Sequence, residues 1–317
     1  MAAPANTTGG TGIVLASIYT LSPLHCGSGQ PDDVVDLPIF RERHTGYPVI
    51  PGTSIKGVAR DALEKVDGKE STLVKNLFGP EGEKELEAGT VIFGEARMLL
   101  IAVPALHEPY VYITSREVLH NFQRDLRALG VTADFSLESE LAALESEGVL
   151  IAASTVPKGG LGLDDGGYAP AKVKTSAAAK TLAIKLATLL PNTETDTQKR
   201  IEQRLVIVDT RDFSHYAKTA TQVTARIKLN DNKTTGSGEH DGSGGGNLWY
   251  EEAVPPESLF VCFVRPRADS SLISKWPWGV SDTSWVTQIG GNETVGQGLC
   301  LWTTVVGFPK SQNGAKS

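Results

Sequence analysis

A chain of 317 residues, 40% hydrophobic and 21% charged, can bury a sizeable core in one large domain or two. Its formal net charge of −7 excludes a globally basic nucleic-acid binder, so any anion site must be a local strip of cations. Cys26, Cys262 and Cys300 are too few and too scattered for a disulfide framework or a zinc site, and they point to a reducing cytoplasm.

No apolar run reaches membrane-spanning length, so no membrane partner is expected. The opening MAAPANTTGG lacks the basic start and apolar core of a secretory signal. In chain order, GIVLASIYTL (12–21) reads as a buried strand. LHCGSGQPDDVVD follows as a Gly- and Asp-rich loop, and LPIFRERHTG carries Arg41, Arg43 and His44. A helix is expected from Ser54 to about Val66, capped by Thr53 or Ser54, with Ile55, Val58, Ala59, Ala62, Leu63 and Val66 on its buried face.

A second short helix ends at Gly79-Pro80. GTVIFGEARMLLIAVPAL reads as strand, broken at Gly94-Glu95. SREVLHNFQRDLRALG is a helix stopped by Gly130. Between 131 and 205 the pattern gives only an acidic helical stretch, Glu138 to Glu147, and a loop leading to Lys172, Lys174 and Lys180.

RLVIVD is a strand, and FSHYAKTATQVTARI is expected to be one amphipathic helix with Val223 and Ile227 on its apolar side. LNDNKTTGSGEHDGSGGGN is too rich in Gly, Asp and Ser to pack and reads as a mobile loop or hairpin tip. SLFVCFV is a buried strand, and WVTQIGGNETVGQGLCLWTTVV is a Gly-rich turn between two strands. The order suits an α+β, ferredoxin-like arrangement with large insertions.

Several constellations carry two readings each. In PGTSIKGVARD, the helix N-terminus, Gly57, Lys56 and Arg60 form either an anion site or a capped core helix with two solvated cations. No Gly-Lys-Ser/Thr closes a P-loop there. Asp32, Asp33 and Asp36 are either turn residues or a carboxylate for a divalent cation or a nucleophile. Asp36 sits apart, between Val34-Val35 and Leu37-Pro38-Ile39, where a turn has no need of it. Arg41 to His44 is either an RNA-phosphate strip or a solvated edge. Gly290, Gly291, Gly296 and Gly298 form either a backbone cradle for a phosphodiester chain or a long hairpin turn.

Taken together and in order, PLHCGSG, VVDLPIFRERHTGYPVIPGTSIKGVARD, LFG, FSHYAKTATQVTARI, LWYEEAVPPESLFV and QIGGNETVGQG resemble the backbone RAMP subunit of type III-B CRISPR effectors, the Cmr complex. RERHTG and YEE-x-x-PPE favour this type over the related Csm-type backbone subunit. The resemblance implies a single RAMP domain over 1–317 with a ferredoxin-like (RRM-like) palm. Within it lie a catalytic and RNA-binding loop at 22–50, a fingers-like or lid-like insertion at 131–205 and a β-hairpin thumb at 228–250.

It implies a cytoplasmic subunit that stacks head-to-tail with further copies of itself along a crRNA, beside other Cmr subunits. Paired target RNA would be cut at regular intervals, leaving a 2′,3′-cyclic phosphate. Asp36 is the implied catalytic residue and ligand of a divalent cation, Mg or Mn. Arg41, Arg43, His44, Ser54, Lys56, Gly57, Arg60, Gly290, Gly291, Gly296 and Gly298 are the implied RNA contacts. AVPALHEPYVYITS departs from the basic run expected after the central strand. A non-catalytic, guide-binding filament subunit is the alternative.

Overall fold

The computed structural model describes residues 12–29, 35–80, 87–145, 147–228, 248–267, 273 and 275–307. The first strand, β1 (Val14–Thr20), is buried along its whole length. Its run of apolar and small residues has no polar alternation because both faces are covered. β2 (Val49–Ile50) leads into α1 (Gly52–Asp67), followed by α2 (Thr72–Phe78), β3 (Val91–Phe93) and β4 (Ala96–Pro104). The break between β3 and β4 falls at Gly94-Glu95, as the sequence predicts.

β5 (Tyr110–Ser115) runs into α3 (Arg116–Ala128), where Ser115 accepts from the Val118 amide and caps the helix. The next stretch, which sequence periodicity left largely undefined, is ordered. It contains α4 (Glu138–Ala142), β6 (Val149–Ile151), β7 (Leu161–Leu163), β8 (Gly166–Tyr168), β9 (Val173–Thr175), α5 (Ala177–Ala187) and α6 (Thr195–Arg204). The acidic helix is thus only five residues long. Then come β10 (Leu205–Val208), α7 (Thr210–Thr219), β11 (Gln222–Ile227), β12 (Leu248–Ala253), β13 (Leu259–Pro266), β14 (Thr283–Gln288) and β15 (Leu299–Val306).

The mixed α+β chain is built on one large sheet in the order β14-β15-β1-β13-β4-β5-β10-β6-β9, with β2 and β3 pairing off that path. β1 lies antiparallel to both β13 and β15, while β5 and β10 are parallel. β11 and β12 form a separate two-stranded hairpin. The apolar core is continuous from β1 through α5. At one end of the sheet Trp276, Trp278, Trp285 and Trp302 pack on one another. All three cysteines are buried and free, and burial pushes the Cys26 and Cys262 thiols up to about 12.

Three expectations are corrected. FSHYAKTATQVTARI is not one helix, because α7 stops at Thr219 and Gln222–Ile227 is a strand. The β-branched Thr221, Val223, Thr224 and Ile227 suit an extended chain, and pairing with β12 settles it. Val223 and Ile227 are therefore exposed, not core. Second, α1 starts at Gly52 after Pro51, with no side-chain cap. The Pro51 carbonyl itself accepts from Ser54 and Ile55, so neither Thr53 nor Ser54 is needed as a cap. Third, only Ile55, Ala59 and Leu63 of α1 are buried, and Val66 is 72% exposed in its last turn. The expected glycine-rich hairpin tip falls at 229–247, outside the described residues. Among those described, no helix is long and apolar enough to cross a membrane.

Candidate functional site

Asp36 is exposed, and its carboxylate accepts from the Tyr250 amide at 2.7 Å. The Leu37 amide donates to the Tyr250 carbonyl at 3.0 Å, and the Glu252 amide donates to the Leu37 carbonyl at 3.0 Å. Leu37 thereby pairs in parallel with Glu251. The segment after the first loop is thus tied by a single parallel bridge to the β12 edge of the β11–β12 hairpin. A residue that sequence places on a loop is fixed against a strand 214 positions later. Asp32 and Asp33 fall outside the described residues.

The anchor beneath this segment is Glu252, only 6% exposed. A buried carboxylate must be paired and hydrogen-bonded or its desolvation is prohibitive. Glu252 accepts from the Ile39 amide at 3.0 Å, from the Thr221 hydroxyl at 2.7 Å and from the Arg41 guanidinium. Arg41 also donates to the carbonyls of Gly46 and Ala217, at 2.7 and 2.8 Å, so its donors are largely spent inside the protein. His25 is 8% exposed, with Nδ1 2.6 Å from the Glu252 carbonyl.

Glu251, on the opposite face of β12, is 4% exposed and holds the Gly-rich turn. Its Oε1 accepts from Asn292 Nδ2 at 2.5 Å, and its Oε2 lies 3.6 Å from Arg226 Nε. Gly290 has φ +80°, and a Cβ there would sit 2.3 Å from the His25 carbonyl. Gly298 has φ +81°, and a Cβ there would sit 2.2 Å from the Ile289 carbonyl. These two glycines allow the turn to close on the first loop. The Gly291 amide donates to His25, Gly296 to Glu293 and Gly298 to Pro23. Three of the four amides of the expected cradle are therefore bonded within the protein.

At the start of α1, Ser54 is partly exposed and Lys56 has no ion-pair partner among the described residues. Gly57 is exposed, and a Cβ there would meet nothing within 4 Å. Arg60 differs: its Nε donates to Glu64 at 2.6 Å and its Nη1 to the Gly79 carbonyl at 3.0 Å, with only 18% of the side chain exposed. Arg43 and His44 are exposed. Beneath them, burial alone would raise Glu42, but hydrogen bonds from Arg97 and Thr45 outweigh it and hold its carboxyl below the usual range.

Sequence reasoning missed four residues here: His25, Glu251, Glu252 and Lys218. Lys218 is exposed at the end of α7 and lies over the Arg43–Gly46 turn, where a Gly46 Cβ would come within 2.6 Å of its Cε. Paired glutamates just inside a strand of β-forming residues were the available signal for Glu251 and Glu252. Alternation sends adjacent strand side chains to opposite faces, so such a pair can hold two different loops.

Among the described residues no group of three or more His, Cys, Asp or Glu could hold a metal ion. Asp36 offers one exposed carboxylate. That fits a hydrated Mg²⁺ which takes one protein oxygen and completes its shell with water and substrate phosphate.

The RAMP superfamily model matches residues 17–300, and the chain belongs to that superfamily. Within it, the chain is 36% identical over 300 residues to the Pyrococcus furiosus protein named CRISPR system Cmr endoribonuclease Cmr4, covering 90% of this chain and 93% of that one. A crystal structure of oligomeric Cmr4 from the same organism superposes with a TM-score of 0.66 at 26% identity, covering 92% of this chain and 96% of that one. A type III-B Cmr-beta complex bound to cognate target RNA contains a chain of the same fold, with a TM-score of 0.72 at 20% identity, covering 92% and 96% of the two chains.

Proposed function

We propose that this chain is a crRNA-binding backbone subunit of a type III-B CRISPR effector and the endoribonuclease that cuts guide-paired target RNA. The observation that carries the reading is Asp36: an exposed carboxylate, held in place by the Tyr250 amide, at the edge of the separate β11–β12 hairpin. The kinship with Cmr4 supports the assignment to RNA, to other Cmr subunits and to head-to-tail copies of this chain. The order β15-β1-β13-β4, antiparallel throughout, supports a ferredoxin-like palm, and β11–β12 supports a thumb.

RNA brings its own nucleophile, the 2′-hydroxyl next to the scissile phosphate. It must lose its proton and come in line with the leaving 5′-oxygen, giving a 2′,3′-cyclic phosphate. Asp36 is the group placed to accept that proton or to orient a divalent cation. Mg²⁺ or Mn²⁺, when bound, supplies positive charge at the phosphate. Glu252 acts as a positioning residue, because it fixes Ile39 and Arg41 on either side of the loop's return. Arg43, His44 and Lys218, all exposed, and the partly exposed Lys56 are cations or proton donors for backbone phosphates, while Arg41 and Arg60 chiefly serve the fold.

The test is target cleavage by the assembled complex with wild-type chain, Asp36→Asn and Asp36→Ala. Loss of cleavage with retained guide and target binding supports the reading. Cleavage at the wild-type rate by both variants removes Asp36 from the chemistry.

A further inference from the structure

Four of the five tryptophans stack on one another at the end of the sheet. The fifth, Trp249, stands on the hairpin and is partly exposed. It lies directly across from Arg226, and Thr224 across from Glu251, so these four side chains share one face. Glu251 carries Asn292 of the Gly-rich turn on one oxygen and draws Arg226 toward the other. That single carboxylate brings the turn and the guanidinium side by side, next to the indole.

Arg226 is incompletely satisfied. Its Nε is buried without a hydrogen-bond acceptor and lies 3.6 Å from Glu251, beyond a charge-assisted bond. That nitrogen is shielded, but 29% of the side chain as a whole remains exposed, so the guanidinium group is accessible at its outer edge. Across the turn, Gly296 has φ +81° with no atom near its Cβ direction, which leaves that edge open to close approach. An indole, a partly exposed guanidinium held only loosely by Glu251 and an open glycine turn match a nucleotide: the base on the aromatic face, the phosphate at the cation. Trp249 also precedes Tyr250, whose amide holds Asp36, so the notch lies beside the candidate cutting carboxylate.

We propose that Trp249, Arg226 and turn 292–297 form a notch that holds one nucleotide of single-stranded RNA, with its base stacked on the indole. The proposal rests on the RNA-cleaving reading above. It assigns Trp249 as a positioning residue that fixes the strand relative to Asp36.

The experiment titrates a short unstructured oligoribonucleotide into the full-length chain, following tryptophan emission and anisotropy of labelled RNA. The variants are Trp249→Ala, Trp249→Phe and Arg226→Gln, each checked by near-ultraviolet dichroism of the buried tryptophan cluster. Wild-type emission should be quenched on binding, and the quench should vanish in Trp249→Phe while affinity largely survives. Trp249→Ala should bind about ten- to a hundredfold more weakly, the range for loss of one base–aromatic stack. Arg226→Gln should flatten the salt slope by about 0.7.

Equal quenching in Trp249→Phe, or wild-type affinity in Trp249→Ala with intact dichroism, overturns the notch. A wild-type chain that binds no RNA also overturns it, and the cleavage assay on the assembled complex then decides the RNA reading separately. If that complex cuts normally with Trp249→Ala, the RNA reading stands and the notch does not.

Discussion

Asp36 and Tyr250 are joined by a 2.7 Å hydrogen bond from the backbone amide of one to the carboxylate of the other, across 214 residues. The bond uses one carboxylate oxygen and leaves the exposed group otherwise open to a ligand. An amide at the same position keeps an acceptor oxygen for Tyr250 but neither takes a proton nor carries charge. Asp36→Asn is therefore expected to fold and bind RNA like wild type while cleavage falls to background. A gel assay of target cleavage beside an affinity measurement checks this, and retained cutting would sink it.

Lys56 and Arg60 should separate. Lys56→Glu should weaken RNA binding with an unchanged melting temperature. Arg60→Ala removes charge-assisted bonds to Glu64 and Gly79 and should cost about 1–3 kcal/mol of stability. Thermal denaturation of both variants tests this; an equally stable Arg60→Ala would show that the cation is only a solvated neighbour.

Gly57 has no steric reason to be glycine. Gly57→Ala should raise helix stability by up to about 1 kcal/mol, since alanine is the better helix former. If an RNA backbone approaches that turn, the same change should lower RNA affinity. Higher stability at undiminished affinity would mean that no ligand comes close there.

Glu257 should contribute to acid sensitivity. Burial raises its carboxyl, but hydrogen bonds from Tyr110 and Tyr19 and the charge of Arg200 outweigh this and hold it below the ordinary glutamate value. A depressed carboxyl contributes stability that is full above the unfolded value and is lost as pH falls through the folded one. The stability gap between wild type and Glu257→Gln should thus be widest near pH 7 and narrow below about pH 4.5. Urea midpoints at several pH values measure it, and a gap independent of pH would assign the loss to packing alone.

Salt dependence should be shallower than five cations imply, because Arg41 and Arg60 are engaged inside the protein. With Arg43, Lys56, Lys218 and Arg226 each neutralising about one phosphate, at about 0.7 each, the slope of log K against log salt should be near −3. A slope near zero on the isolated chain would leave stacking and backbone contacts as the basis of binding.

What was legible in the sequence were features set by local chemistry. The unbroken apolar run of β1, the Gly94-Glu95 interruption and the helix stopped before Gly130 all follow from neighbours a few residues apart. Asp36 stood out because its apolar context gave it no turn to make. The rest depended on distant partners. Arg41 looks like an open cation until Glu252, 211 residues on, is seen to hold it. The segment 213–227 carries helical spacing throughout, and only β12 shows that its second half is a strand. Glu251 and Glu252 stood in the YEE-x-x-PPE segment, but that segment did not show their role, which is to join loops far apart in the chain.

The burial of Cys26, Cys262 and Cys300 has a practical side. With their thiols raised far above neutral pH and shielded from solvent, the native chain offers thiol-reactive dyes no thiolate. A cysteine placed at Leu248 on the exposed hairpin, or at Val66 at the end of α1, would then be the single labelling point, without first rebuilding the core. Paired dyes at those two positions would report hairpin movement against the sheet as each RNA strand binds.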